Sequence, residues 1–233
     1  DFGPSAAAHV NAPAGIDVAA NGDLYVAESS GQRIRRVLAN STGIADGTTL
    51  VYTVAGTGSQ GNSGEGGPAV AALLNYPNDV LAFDDGSLLI ADASSGRIRR
   101  VDTFGTIQSV LQAGCNGATW LCGDGGPVNS VLAQAITPAL LVSDNAGGYL
   151  IVDYGLNRVR RVTASGQMTT VMGSGAACAA PTNRCGDGQA AEIAEIGQAK
   201  GALMLPDGTI LVADANNRIR ARVADPNTAP QGP

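Results

Sequence analysis

Four cysteines stand in two pairs of identical spacing, and each pair closes on the same phrase: Cys115 and Cys122 before Gly-Asp-Gly, Cys178 and Cys185 before Gly-Asp-Gly. Paired thiolates of this kind hold a metal, run redox chemistry or close a disulfide. Structural zinc sites favour a spacing of roughly two to four intervening residues, whereas six separate the cysteines in both pairs here. A second set of charged residues repeats along the chain. Carboxylates precede arginines by four or five positions at Glu28–Arg33, Asp92–Arg97, Asp153–Arg158 and Asp214–Arg218. Opposite charges at that distance can meet across a short turn in a charge-assisted hydrogen bond. A third set comprises Glu65, Asp124 and Asp187, each flanked by glycine. One carboxylate per loop falls well short of the roughly six to eight oxygens that calcium takes, so calcium is at most a minor expectation and no cofactor is predicted.

The elements that carry these residues repeat. Arg33, Arg97, Arg158 and Arg218 open the related segments RIRRV, RIRRV, RVRRV and RIRAR. About ten residues before each arginine begins an apolar run, "DLYVAES", "SLLIADA", "GYLIVDY" or "TILVADA", introduced by Asn21-Gly22, Asp85-Gly86, Gly147-Gly148 or Asp207-Gly208. Glycine-containing pairs between apolar runs are strong hairpin signals. Another apolar stretch precedes each turn, and a further one follows the first three arginine strands: "LVYTVAG", "TIQSVLQ" and "QMTTVMG". The unit is therefore four antiparallel strands, the blade of a β-propeller. Four blades are visible, the last without its outer strand. The fold class is all-β, with repeats at approximately 3–66, 67–125, 126–188 and 189–224, and a proline-rich tail or linker at 225–233. A parallel β-helix fits less well, since its repeats are shorter and lack these tight turns.

The strand–turn–strand cores "DGSLLIADASSGRIRRV", "GGYLIVDYGLNRVRRV" and "DGTILVADANNRIRAR", with the connection "TVAGTGSQGNSGEGGPAVAALLNYPNDV", resemble the NHL-repeat β-propellers, in particular extracellular bacterial-type and teneurin-like members. The resemblance spans roughly residues 3 to 224. It implies more blades than four, so this chain is expected to be a piece of a longer protein. It leaves function open, because propellers of this kind serve as enzymes, sensors, RNA binders and adhesive modules.

Within that frame the cysteine pairs occupy equivalent connections between blades. The connection around Glu65 has no cysteine, so the loop can be built without one. Two disulfides, Cys115–Cys122 and Cys178–Cys185, are the leading expectation; pairing across loops, a shared metal and free thiols are the alternatives. Disulfides imply an oxidising compartment, so the chain is expected to be extracellular, on a cell surface or periplasmic. The sequon Asn40-Ser41-Thr42 offers a glycosylation site in a eukaryotic secretory context.

Charge narrows the partners. The net charge of −6 gives no electrostatic case for nucleic acid, and no apolar run is long enough for a membrane span. The acid–arginine repetition reads as architecture more readily than as a polyanion site. The single histidine, His9, aligns with Leu73 and is expected to be half-buried packing. The expected function is a non-catalytic interaction or structural module contacting proteins or glycans, further domains of the same polypeptide included. The alternative is a metal-dependent propeller lyase or hydrolase with its site partly present, in which Asp17 and Asp79 on first strands would line a central channel.

Overall fold

The structure, a computed structural model, describes residues 3–112, 124–128, 137–178 and 185–224. Cys115 and Cys122 fall outside the described residues. The chain divides into two compact units, residues 1–110 and 111–233.

The first unit holds two sheets. One is β1 (Pro13–Val18), β2 (Leu24–Glu28), β3 (Arg33–Val37) and β4 (Val51–Ala55); the other is β5 (Pro77–Ala82), β6 (Leu88–Asp92), β7 (Arg97–Val101) and β8 (Ile107–Gln112). Both have their strands in chain order. The second unit begins with a two-residue strand, β9 (Gly126–Pro127), followed by β10 (Pro138–Ser143), β11 (Tyr149–Asp153), β12 (Arg158–Val162) and β13 (Gln167–Met172). These form a five-stranded sheet in which β9 lies beyond β13. A last sheet has three strands, β14 (Gly201–Met204), β15 (Ile210–Asp214) and β16 (Arg218–Arg222). The class is all-β, four propeller-type antiparallel blades, the fourth lacking an outer strand among the described residues.

The local reason for each hairpin is legible. Gly22, Gly86 and Gly208 adopt φ of 85°, 84° and 83°, a region that side chains other than glycine's disfavour. Their N–H groups donate back to Ala19, Phe83 and Leu205. The middle strands alternate faces. In the first unit, Tyr25 and Ala27 of β2 and Ile34 of β3 pack with Val80, Leu88 and Ile90 of the next sheet and with Leu74 of the connection. In the second unit, Leu150, Val152 and Val159 meet Ile196, Met204, Ile210 and Val212. One sheet thus covers the next, which explains why a blade is apolar on both faces.

The prediction of four strands per blade omitted β9. Gly126 and Pro127 pair with Met168 and Gln167, and Pro68 bridges Thr106 in the second sheet. The connection that enters each of these blades thus stitches that blade's own outer strand, a long-range pairing that strand periodicity does not encode.

Candidate functional site

The charged residues singled out by spacing converge on one recurring arrangement. Register places Glu28 opposite Arg33, Asp92 opposite Arg97, Asp153 opposite Arg158 and Asp214 opposite Arg218. The ion pairs of Glu28, Asp92 and Asp214 nevertheless run to the second arginine of the strand: Arg35–Glu28 at 3.2 Å, Arg99–Asp92 at 3.8 Å and Arg220–Asp214 at 3.6 Å, while Asp92 and Asp214 also accept from the N–H groups of Asn75 at 2.6 Å and Asn216 at 2.9 Å. Residues two apart on a strand share a face, so both arginines are available to the acid. The second lies deeper.

Arg99 is fully buried. Its guanidinium donates to Leu73 O and Ser63 O, both at 3.0 Å, and lies 3.0 Å from Glu65. Arg220 repeats this contact for contact. It donates to Glu195 O at 2.8 Å, Cys185 O at 2.9 Å and Asp187 at 2.5 Å. Each guanidinium thus ties its own sheet to the connection entering that sheet, using a fixed fork of donors. The first arginine of the strand reaches the same connections: Arg97 donates to Asn62 O and Glu65 at 3.2 Å, and Arg218 lies 3.8 Å from Asp187. Arg33 and Arg158 donate instead to Thr57 O and Ser174 O, each at 2.9 Å. The third arginine holds the hairpin acid, as in Arg36–Asp23, Arg100–Asp85 and Arg161–Asp144. Ala221 stands at that position in the last repeat.

The electrostatics follow burial. Desolvation pushes the Asp92 carboxyl above its ordinary value, against the N–H of Asn75 and the nearby Arg99. Desolvation likewise pulls Arg99 and Arg158 below theirs. Glu65 is held below the usual carboxylate value: burial opposes this, but bonds from Ser109 and the charges of Arg99 and Arg97 prevail. At Asp23 burial is similarly outweighed by Ala39 N–H, Arg36 and Asn21.

The glycine-flanked carboxylates therefore serve as arginine and strand anchors. Glu65 accepts from Ser109 N at 2.5 Å and from its hydroxyl at 2.7 Å, and Asp124 accepts from the Thr170 hydroxyl. Cys178 and Cys185 form a disulfide with Cα atoms 5.5 Å apart. Its reason is visible against the cysteine-free connection. Gly58 and Gly64 correspond to Gly175 and Gly186, with φ of 92°, 99°, 93° and 86°. The first pair is 6 residues apart and the second 11, so the disulfide closes an insertion of 11 − 6 = 5 residues. Among the described residues, the one group of metal-ligand type is Cys178, Cys185 and Glu195, whose two sulfurs are bonded to each other.

The other sequence candidates stand apart. Asp17 accepts from Ala82 N at 2.7 Å, while buried Asp79 lies against Gly15. His9 is exposed and not half-buried, since its segment runs along the outer side of the first sheet. Asn40 turns its amide nitrogen onto Asp46 at 2.8 Å and accepts from Thr42 N and Ile44 N, so it organises its own loop.

Repeated four-stranded blades laced by arginine forks define a repeat β-propeller protein. Residues 16–119 match the family model described as Teneurin NHL domain, a likeness in keeping with the antiparallel blades of the fold. Solved structures agree on fold alone. A candidate gluconolactonase from structural genomics aligns at TM-score 0.53 with 17% identity, over 94% of this chain and 65% of that one. An auxiliary nutrient binding protein from Bacteroides thetaiotaomicron aligns at 0.53 and 15% identity, over 89% and 47%. The chain thus spans about half to two thirds of the length of these structures.

Proposed function

We propose that this chain is a non-catalytic interaction module of a larger exported protein, acting through contacts with other proteins or glycans. The observation that carries the reading is how the charged side chains are used. The arginines and carboxylates that would build a polyanion site or an acid–base pair are bound to one another and to backbone carbonyls inside the sheets. Apolar side chains, by contrast, stand in water on the first and last sheets: Ile16 and Val18 are 63% and 61% exposed, and Ile219 is 73% exposed. Contiguous exposed apolar surface marks interaction sites. The disulfide and the likeness to an extracellular family favour an exported location, and other blades of a longer chain are natural neighbours for these faces.

The competing reading is a propeller hydrolase or lyase, and one experiment separates the two. The purified chain is assayed on simple lactones with and without added calcium, zinc or manganese, and in parallel on an array of glycans and extracellular protein domains. Saturable binding that survives chelator and moderate salt, with no turnover, is expected. Metal-dependent turnover would overturn the proposal.

A further inference from the structure

We propose that, when Cys178 and Cys185 are reduced, their thiolates and the Glu195 carboxylate together bind one thiophilic divalent cation, zinc by preference, and that closing the disulfide expels it. This goes beyond the interaction reading and does not depend on it.

The three side chains are already gathered. Two sulfurs and one carboxylate oxygen all lie within 4.8 Å of one another, and the Cα atoms of the cysteines are 5.5 Å apart. Zinc takes sulfur at about 2.3 Å and carboxylate oxygen at about 2.0–2.2 Å, so one ion can reach all three. The spacing of the cysteines is wider than in a zinc knuckle, but the third ligand arrives through the fold. Glu195 N donates to Cys185 O at 3.0 Å, which fixes two of the three ligands to each other through the backbone.

Comparison with the cysteine-free connection shows what Glu195 is for. Cys185 and Glu195 take the places of Ser63 and Leu73, since their carbonyls accept from Arg220 as those of Ser63 and Leu73 accept from Arg99. Leu73 packs its side chain over Gly61, the apolar cover such a loop needs. Glu195 brings a half-buried residue with a carboxylate to the sulfurs instead. Among the described residues that carboxylate accepts no hydrogen bond and meets no cation, whereas Glu65 and Asp187 are paired with arginine. A disulfide gains nothing from a carboxylate, and leucine would cover it better. Two thiolates beside a carboxylate repel one another unless a cation joins them. Both ligand-type residues thus enter in the same repeat, at positions the second repeat fills with serine and leucine.

Donor type selects the ion. Thiolates favour zinc over calcium and magnesium, which take oxygen ligands, and three protein ligands leave the fourth tetrahedral position to water. Oxidation closes the site. The two thiolates pass two electrons to an oxidising disulfide, the Cys178–Cys185 bond forms, the oxidant takes two protons from water and becomes a dithiol, and the cation leaves. The connection is then fastened in both redox states, by the ion before oxidation and by the sulfur–sulfur bond after it.

The test uses the full chain with Cys115→Ser and Cys122→Ser, reduced and free of oxygen, and cobalt(II) as the probe. A thiolate-to-cobalt band in the near ultraviolet should saturate at one cobalt per chain and bleach when zinc is added. Glu195→Gln should weaken binding by at least about tenfold, the scale on which even outer-shell partners of a metal matter. Glu195→Leu, which restores the residue of the second connection, should do the same with the circular dichroism unchanged. Adding an oxidised dithiol should release one zinc per chain as the disulfide forms. Absence of the band, binding indifferent to both changes at Glu195, or equal binding by the oxidised chain would overturn the proposal. Should the two serines unfold the chain, the reduced four-cysteine protein decides: Cys178→Ser should remove one equivalent of bound cobalt, and an unchanged stoichiometry would overturn the site.

Discussion

The second and fourth sheets carry nearly the same residues and differ in what surrounds them. Ile98 and Ile219 follow the first arginine of their strands, yet Ile98 is fully buried while Ile219 is 73% exposed. Leu81 and Leu203 are likewise equivalent, at 6% and 52%. The arginine forks of the two sheets are otherwise superimposable in their partners. A blade's internal hydrogen bonds are thus its own, whereas the burial of its apolar faces depends on what is stacked against it. This is the quasi-one-dimensional logic of repeat proteins, in which interface energies add to intrinsic ones.

The sharpest way to break the comparison is at the forks. Arg99→Ala should destabilise the first unit by about 3–5 kcal/mol, because it leaves Asp92 and part of Glu65 without their counter-charge in a buried setting. Arg220→Ala should cost the second unit less, about 1–3 kcal/mol, because the neighbouring Ile219 is 73% exposed and water reaches the vacated site, although Asp214 is as buried as Asp92. Urea unfolding of both variants measures the difference. Equal losses would mean that the fork, and not its enclosure, sets the energy.

Next in size is the isoleucine pair. Ile98→Ala should cost about 2–5 kcal/mol, and Ile219→Ala should stay within about 0.5 kcal/mol. A large loss at Ile219 would reveal that its face is covered in solution. The disulfide sharpens the same contrast, because the second sheet builds its connection without one. Replacing Cys178 and Cys185 with serine should lower stability by about 2–3 kcal/mol and leave exchange protection in the first unit unchanged.

The smallest effect is in acid. The carboxyl pKa of Glu65 is lowered on folding, so its contribution is complete above the unfolded value near ~4.3. It is lost as pH falls through the folded value. Glu65→Gln should therefore flatten the acid limb of the stability curve. Asp92 is raised, so its contribution has the opposite sign. It is most favourable below the unfolded value near ~3.9 and fades as pH climbs through the folded one. Asp92→Asn should accordingly steepen the same limb.

The repeated turns and arginine strands made the blade legible before any coordinates, because hairpin chemistry and face alternation are local. The acid and arginine of each pair were also legible as neighbours across a turn. Which arginine would be buried was not. Arg97 and Arg99 share a face, and only the packing of the connection over that face decides that Arg99 goes inside to meet Ser63 O and Leu73 O. A clue existed in the R-x-R alternation, but alternation fixes the face and not the depth. His9 shows the same limit: its alignment with Leu73 carried over a residue's place in the repeat, but not its cover.

The sequence by itself determined the four-strand unit, the number of visible repeats, the place of the cysteine pairs in equivalent connections and the acid–arginine spacing, all consequences of short-range stereochemistry and periodicity. Only the tertiary structure decided that the entering connection stitches the outer strand and that the second arginine is the buried anchor. These depend on contacts between residues tens of positions apart, whose energies come from burial and desolvation and are set by which surfaces meet.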